Sequence, residues 1–238
     1  MSQACLICNA DLRYAITAKM MRCALCNHSF ESNAECVNGH FICNDCHEAK
    51  AYDFIENFCN KQNSNNVFKL TEQILKHPSI HMHGPEHHFL VPAVLITAYY
   101  NHIGQPQDIK AKLSIARKRA KQILGGFCGF YGSCGAAVGT GIFLSIVLEA
   151  TPVSKSEWRL CNLITATSLH EIANNGGPRC CKRDTYLALE TAIPFVNENL
   201  SVELPSEKII CTFSKQNKEC TMEECKYFSA ELNSAHAS

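Results

Sequence analysis

Hydrophobic positions from Val67 onwards recur at steps of three and four residues, which is the spacing of an amphipathic helix. Glycine, proline and capping residues divide this region into successive helices. Ser154 and Glu157 have the spacing of a capping box, and Pro194 is expected to bend or shorten the last helix. The pattern predicts a mainly α-helical protein, with helices at about 48–60, from 67 onwards, and at about 86–102, 107–124, 133–150, 154–175 and 179–199. By contrast, 207–213 has the pattern of a strand.

The residues before this helical region have a different character. Residues 1 to about 47 are loop-rich and carry closely spaced cysteines, and the polar stretch 61–66 is typical of a linker. We therefore predict three segments: a zinc-binding, ribbon-like double finger at 1–60, a helical domain with a cysteine- and glycine-rich site at 67–200, and a cysteine-bearing tail at 201–238.

The most apolar run, 136–148, predicts a buried helix and not a membrane span. It has about thirteen residues, whereas a spanning helix needs roughly 20. The first ten residues carry neither a basic nor an apolar segment of a secretion signal. Lys plus Arg equals Asp plus Glu at 22 each, so the bulk charge does not favour a nucleic-acid partner. We expect a cytoplasmic protein with no membrane partner.

The sixteen cysteines fall into two groups along the chain. Eight lie within the first 59 residues, and the other eight lie between Cys128 and Cys225. Because no secretion signal precedes them, metal binding or redox chemistry is favoured over a disulfide framework. Cys59 and Cys161 lie beside apolar residues of predicted helices, and we expect them to pack in the core.

The N-terminal cysteines have the spacing of zinc ligands. Three C-x-x-C pairs and one C-x3-H pair supply eight ligands, which fill two tetrahedral sites with none left over. Chelation also replaces the hydrophobic core that so short a segment cannot build. The predicted ligands of two zinc ions are Cys5, Cys8, Cys23, Cys26, Cys36, His40, Cys43 and Cys46.

Two pairings of these ligands are open. In sequence order, the first two pairs hold one ion and the last two pairs hold the other, as in a zinc ribbon. In a cross-brace, the first pair joins the third, and the segment 35–46 is similar to the middle of cross-braced RING fingers. Because a RING continues with a further C-x-x-C pair and here only Cys59 follows, we favour the sequential ribbon.

The second cysteine system lies at glycine-shaped turns. Seven glycines occur in the segment 125–141, which holds Cys128 and Cys134, and the vicinal pair Cys180-Cys181 follows a Gly-Gly-Pro entry. Helix N-termini lower thiol pKa values, so we expect thiolates ready for a metal cluster or for redox exchange. The predicted ligands of an iron–sulfur cluster, or members of a redox dithiol, are Cys128, Cys134, Cys180, Cys181, Cys211, Cys220 and Cys225.

Polar residues near these cysteines are candidates for proton transfer. The segment 81–88 carries four histidines at the entry of an apolar helix, where His83 and His87 could share a face. Asp184 and Arg179 flank the vicinal pair and could position a polar substrate or form a surface ion pair. We therefore predict catalytic roles for His83, His87 and Asp184, together with Cys180 and Cys181.

The chain resembles a cysteine-rich domain-of-unknown-function family of mainly anaerobic bacteria and archaea. The resemblance rests on ECVNGHFICNDCH, MHGPEHHFLVPAVL, GFCGFYGSCGAAVGTGI and GGPRCCKRD. The third of these segments is also similar to helical proteins with a C-GCAxxG-C-C pattern, which implies redox or metal-binding chemistry. Genes of the first family often lie near radical-SAM and methyltransferase functions, so the resemblance implies a partner of that type and a role in sulfur or one-carbon metabolism.

The leading hypothesis is a metalloprotein with structural zinc and a second, iron–sulfur or dithiol site, acting in redox or transferase-type chemistry. The alternative is a binding module, in which the finger recruits a protein or RNA partner and the helical body is a scaffold. A basic or aromatic patch on the finger would favour this alternative, and Arg13, Tyr14, Lys19 and Arg22 are candidates for it. The basic run 110–121 has helical spacing and is typical of a solvated face.

Overall fold

The computed structural model describes residues 5, 7–8, 10–24 and 27–230 of the chain. Its element order begins with two strands, β1 (Leu12–Arg22) and β2 (Ser29–Cys36). The helices are α1 (Asn44–Cys59), α2 (Val67–Leu75), α3 (Glu86–His102), α4 (Ile109–Ala120), α5 (Phe127–Phe130), α6 (Gly135–Val147), α7 (Ser156–Asn174) and α8 (Cys181–Leu200). The prediction of a mainly helical protein is confirmed.

The two strands form an antiparallel hairpin that the hydrophobic pattern did not reveal. Leu12 pairs with Cys36 and Arg22 pairs with Ser29, and the register is irregular between Tyr14 and Lys19. Most side chains of both strands are exposed, so the hairpin lacks the apolar face that makes a strand visible in a sequence. We call residues 5–46, which contain the hairpin and the first turn of α1, the finger.

The helical body is built around α3, which is buried along almost its whole length. Phe89, Leu90, Leu95 and Ile96 on this helix have no exposed surface. Helices α1, α4, α6 and α8 all pack against α3. Because α3 is surrounded, its sequence is apolar on every side, which is typical of a central helix.

Helix α6 lies close to α3 because it carries glycine at the contact. A β-carbon at Gly139 would lie 2.9 Å from Cδ of Pro92 and 3.1 Å from Cβ of Val91. Real β-carbons almost never approach as closely as the first of these distances. The glycine therefore sets the distance between α3 and α6, which brings the start of α6 next to the start of α3.

Three local predictions are corrected by the structure. The capping box at Ser154 is wrong: α7 begins at Ser156, and the Ser154 hydroxyl accepts from the backbone N–H of Thr151 at 3.0 Å. Helix α8 is not shortened by Pro194 and continues to Leu200, so of that prediction only a bend at Pro194 stays. The strand at 207–213 is absent, because the N–H of Cys211 in this segment donates to the Tyr227 carbonyl, at 2.7 Å, outside any ladder.

The chain after α8, residues 201–230, returns across the helical body, and we call it the tail. Its residues Leu204, Phe213 and Tyr227 are buried. The Tyr227 hydroxyl donates to the Glu190 carboxylate of α8 at 2.6 Å. These contacts hold the tail cysteines close to the start of α8. Across the described part of the chain, no helix has the length and apolar character needed to cross a membrane.

Candidate metal centres and a cysteine-lined cleft

The finger contains a four-ligand group made by its first and third ligand pairs. The ligand atoms of Cys5, Cys8, Cys36 and His40 all lie within 4.8 Å of one another. The Cys8 and Cys36 sulfurs are 3.4 Å apart, and Nδ1 of His40 is 3.2 Å from the Cys8 sulfur. A hydrogen bond with the backbone of Ala10 lowers the pKa of Cys8 to about 6, and a hydrogen bond with the side chain of Asn38 acts in the same direction. These four side chains could hold a tetrahedral metal ion.

A second group joins Cys23 of the second ligand pair to the fourth pair, Cys43 and Cys46. The sulfurs of Cys23, Cys43 and Cys46 lie within 4.8 Å of one another, and Cys23 and Cys43 are buried. The backbone N–H of Cys43 donates to the Cys23 sulfur at 3.3 Å. Cys26, the remaining predicted ligand, lies outside the described residues, so its role stays a prediction. The three described sulfurs leave one position of a tetrahedral site for it.

The pairing is that of a cross-brace, so the expected sequential ribbon is wrong. The reason lies in the hairpin: pairing of Leu12 with Cys36 returns the end of β2 to the start of β1, beside Cys5 and Cys8. At the opposite end, the N–H of Ala24 donates to the Phe41 carbonyl at 2.9 Å, which places Cys43 beside Cys23. Ligand spacing alone is compatible with both pairings, and the strand pairing decides between them.

A cleft of about 1640 Å³ lies between the finger and the helical body. The first turns of α6 and α8 line it, as do the loop before α3 and residues of the finger. Tyr14 of the finger crosses to the body, where its hydroxyl accepts from a guanidinium nitrogen of Arg179 at 2.9 Å. The predicted catalytic and cluster-binding residues that line the cleft are His83, His87, Cys128, Cys134, Cys181 and Asp184. Four of the predicted zinc ligands line it as well: Cys5, Cys8, His40 and Cys43.

The vicinal cysteines face two different surroundings. Cys181 lines the cleft, and its neighbours include Arg179, Asp184 and Cys134. Cys180 is the N-cap of α8 and has Cys211 of the tail as a neighbour. The second cysteine system, predicted as one site, is therefore divided by the start of α8 into a cleft group and a tail group.

The cleft group consists of Cys128, Cys134 and Cys181. Cys134 is the N-cap of α6 and has both Cys128 and Asp184 among its neighbours. The tail group consists of Cys180, Cys211, Cys220 and Cys225, in which Cys211 is an electrostatic neighbour of each of the other three. Lys182 lies beside Cys180 and Cys211, 4.2 Å from the centre of the Phe213 ring, and its Nζ donates to the Leu75 carbonyl at 3.1 Å.

Neither group is as tight as the two finger groups. Among the described residues, the sets of three or more Cys, His, Asp or Glu ligand atoms within 4.8 Å of one another are the two in the finger. A single metal ion needs ligands at that spacing, whereas an iron–sulfur cluster spreads its cysteine sulfurs around several iron atoms.

The prediction of thiolates at the helix starts is wrong for three of the cysteines. Burial raises the pKa of Cys134 to about 12, and the amides of Ala136 and Ala137 lower it without reversing the effect. Burial likewise raises the pKa of Cys180 to about 11 and that of Cys181 well above its usual value. Loss of hydration of the charged form therefore outweighs the helix N-terminus, and these residues are thiols near neutral pH.

His87 is held by its neighbours at both ring nitrogens. Its Nδ1 lies 2.9 Å from the Thr185 hydroxyl, and its Nε2 lies 3.2 Å from the His81 carbonyl. The side chain is buried, and burial lowers its pKa to about 3. This arrangement favours a structural role for His87, and its predicted catalytic role stays a prediction.

His83 and His88 have a different environment. Nε2 of His83 lies 3.1 Å from Oδ1 of Asn217, while its Nδ1 is buried without a hydrogen-bond partner in the described structure. His88 lines the cleft, and its Nδ1 donates to the Ile123 carbonyl at 3.0 Å, which directs Nε2 away from that carbonyl. The His88 ring lies over Gly135, where a β-carbon would be 2.2 Å from it.

Sequence reasoning gave no role to His88, which lines the cleft, whereas Arg179, expected beside the vicinal pair as a residue that could position a substrate, lines the cleft too. The sequence feature that corresponds to His88 is Gly135, directly after Cys134. A side chain at this position would occupy the space of the His88 ring. Asp184 is buried, as expected for a site residue, and its Oδ1 accepts from Nε of Arg183 at 3.2 Å. Burial raises the pKa of Asp184 to about 6, so the carboxyl titrates close to neutral pH.

Searches among curated proteins and among solved structures return no significant match to this chain. A family model matches residues 55–228, which contain α2 to α8, the cleft group and the tail group. The matched residues do not include the finger, so the expected family-wide finger motif and the occurrence in anaerobes stay predictions. With nearly three quarters of its length matched, the chain belongs to the family of unknown function DUF5714.

Proposed function

We propose that this protein is a metalloprotein with two structural zinc ions in the finger and an iron–sulfur cluster held by the tail group. The observation that carries the cluster is the position of Cys211, whose neighbours include three further cysteines, Cys180, Cys220 and Cys225. The cluster would supply one-electron redox chemistry beside the cleft. Its physiological role would be redox or transferase-type chemistry in the cytoplasm.

The finger groups have the character of structural zinc sites. Cysteine sulfur and histidine nitrogen are the ligands that zinc prefers, and four protein ligands leave no open position for catalysis. The first group has all four ligands within 4.8 Å, and two of them, Cys5 and Cys36, are buried. Zinc would therefore hold together a hairpin whose exposed strands bury little apolar surface.

The tail group has the donor set of an iron–sulfur cluster. Four cysteine thiolates are the usual ligands of a [4Fe–4S] cluster, and the tail group supplies four cysteines from two parts of the chain. Each of the four is partly buried, which would shield the cluster while leaving a route for its assembly. Lys182 beside Cys180 and Cys211 adds a positive charge, which would offset the negative charge of a ligated cluster.

The vicinal pair would couple this cluster to the cleft. Cys180 belongs to the tail group, and the next residue, Cys181, lines the cleft beside Asp184 and Cys134. A cluster on Cys180 would thus lie one residue away from thiols that could react with a bound molecule. A radical-SAM partner, one of the two types that the resemblance implies, would be an acceptor of electrons from this cluster.

The alternative of a recruiting module has less support. Arg13 and Lys19, the candidate basic patch of the finger, both pair with Glu35. Tyr14 is turned to Arg179 of the body. In the basic helix α4, Arg117 pairs with Asp53 and Glu56 of α1. Intramolecular pairing of these charges reduces what is left for a nucleic-acid backbone.

The cluster is tested by anaerobic purification followed by iron, sulfide and zinc analysis and by electron paramagnetic resonance of the reduced protein. We expect roughly four iron and four sulfide ions per chain in addition to zinc. Cys211→Ser should lose the iron and keep the zinc. Cys161→Ser is the matched control, because Cys161 is a partly buried cysteine of α7 outside both groups.

Two outcomes would contradict the proposal. The first is a wild-type protein that holds its full zinc but no iron after anaerobic preparation or reconstitution. The second is loss of iron in Cys134→Ser but not in Cys211→Ser, which would move the cluster from the tail group to the cleft group.

A further inference from the structure

We propose that the cleft binds a small molecule through an anionic group, a carboxylate or a phosphate, with Arg179 as the anchor. This binding site is separate from the iron–sulfur cluster proposed above, because none of the tail cysteines takes part in it. Three observations carry it: the surroundings of Arg179, the helix starts that line the cleft, and the buried nitrogen of His83.

In the described structure, the guanidinium of Arg179 has N–H donors that are available for a further partner. The hydroxyl of Tyr14 is its hydrogen-bond partner, and the Tyr14 ring lies 5.6 Å from its guanidinium carbon. The nearby carboxylate of Asp184 is engaged by Arg183, and across the described residues no carboxylate lies within ion-pair distance of Arg179. A guanidinium presents a planar fork of donors that matches carboxylate and phosphate oxygens, so an anion from solution would complete its contacts.

The backbone adds positive potential to the same space. The first turns of α6 and α8 both line the cleft, and these helices have 13 and 20 residues. The N-terminus of a helix of this length carries unpaired N–H groups and partial positive charge, which favour an anion. Lys182, in the first turn of α8, also lines the cleft. The two helix starts and Arg179 therefore act on one ligand, while the Lys182 ammonium donates to the Leu75 carbonyl.

His83 provides an independent indication that a ligand belongs here. Its side chain is 2% exposed and it lines the cleft. With Nε2–H donating to Oδ1 of Asn217, Nδ1 carries a lone pair that lacks a partner in the described structure. A buried polar nitrogen without a hydrogen bond is costly and rare, so a donor group on the ligand would satisfy it.

These contacts define the class of ligand. It carries an oxyanion for Arg179 and a hydroxyl, amino or thiol group that can donate to His83. The cleft volume of about 1640 Å³ admits a metabolite of ordinary size together with water. Cys181 and Cys128 are both neighbours of Arg179, so the bound molecule would lie against thiols.

The test uses the full-length, zinc-loaded protein with inorganic phosphate and malonate as probes, and with chloride at equal ionic strength as reference. Isothermal titration calorimetry and thermal unfolding report binding. We expect phosphate or malonate to bind and to raise the unfolding midpoint where chloride does not, and the stronger of the two identifies the anionic group. Arg179→Gln should weaken that binding roughly tenfold or more, because hydrogen bonds to a charged group are the stronger ones.

Controls separate loss of the site from loss of the fold. Arg159→Gln removes an exposed arginine of α7 and should leave anion binding unchanged. Arg179→Lys keeps the charge but not the fork, and should fall between wild type and Arg179→Gln. Cys211→Ser should bind the anion as wild type does, even when it has lost the iron. Equal binding by wild type and Arg179→Gln, or no effect of either probe beyond that of chloride, would overturn the proposal.

Discussion

The sulfurs of Cys8 and Cys36 lie 3.4 Å apart, although the two residues are 28 positions apart in the chain. Cys8 precedes β1 and Cys36 ends β2, so the hairpin is what brings them together. The same ion would therefore be bound by both ends of the hairpin. Removing that ion should affect the pairing of the strands as well as the metal content.

Double substitutions should distinguish the cross-brace by metal counting. Cys8→Ser/Cys36→Ser removes two ligands of one group, so we expect one zinc ion per chain to be lost and the other to be retained. Cys8→Ser/Cys43→Ser removes one ligand from each group and should lose or weaken both ions. Native mass spectrometry of the zinc-loaded variants gives the count directly.

The sequential pairing predicts a different zinc content for the Cys8→Ser/Cys36→Ser variant. In that pairing, Cys8 and Cys36 belong to different ions, so Cys8→Ser/Cys36→Ser would disturb both. Loss of both ions in this variant, together with a folded helical body by circular dichroism, would show that the cross-brace is wrong.

The helical body was largely predictable because its signals are local. Helix α3 has the predicted bounds, since a Gly-Pro entry precedes Glu86 and a glycine follows soon after His102. The central position of α3 also agrees with its apolar sequence. The predicted packing of Cys59 is confirmed, because it is fully buried.

The site was predictable in its residue types but not in its arrangement. Spacing revealed the finger ligands, yet their pairing depends on a hairpin with no apolar face. Adjacent cysteines were assigned to one site, whereas Cys181 lines the cleft with Cys134 as a neighbour and Cys180 has Cys211 of the tail as a neighbour. Thiol pKa values could not be obtained from helix position alone, because burial depends on how distant segments pack.

Gly135 should be intolerant of a side chain. A β-carbon there would lie 2.2 Å from the His88 ring, which itself donates to the Ile123 carbonyl. Gly135→Ala therefore has to displace a buried ring, and we expect a loss of about 1–3 kcal/mol in the free energy of unfolding. Urea unfolding followed by circular dichroism measures this loss.

Gly129 is the matched control in the neighbouring helix α5. It has no positive φ, and a β-carbon there meets no atom within 4 Å. Gly129→Ala should be neutral or slightly stabilising, because alanine reduces the conformational freedom of the unfolded chain. If both substitutions have the same effect, the close contact of His88 with Gly135 is not a constraint on the fold.

His87 should make the protein less stable in mild acid. Burial lowers its pKa from 6.5 to about 3, so the folded protein excludes a proton that the unfolded chain binds below pH 6.5. The stability contributed by the neutral ring is thus complete above pH 6.5 and falls as the pH drops from there towards about 3. Asp184 acts in the opposite direction between pH 3.8 and about pH 6. Because burial raises its pKa, its contribution to the free energy of unfolding increases as the pH falls through this range.

His87→Gln isolates this effect, because the contributions of Asp184 and the metal ligands are common to both proteins. The variant should be less stable near pH 7, by about 1–3 kcal/mol for its lost hydrogen bonds. When the pH is lowered from about 7 to about 5, the free energy of unfolding of the variant should fall by roughly 2 kcal/mol less than that of wild type, since glutamine does not titrate. His170→Gln, at an exposed histidine of α7, should show the wild-type dependence on pH. Urea unfolding at the two pH values measures these differences. An equal decrease in the free energy of unfolding for wild type and His87→Gln would mean that the His87 ring takes up its proton in the folded protein as it does in the unfolded chain.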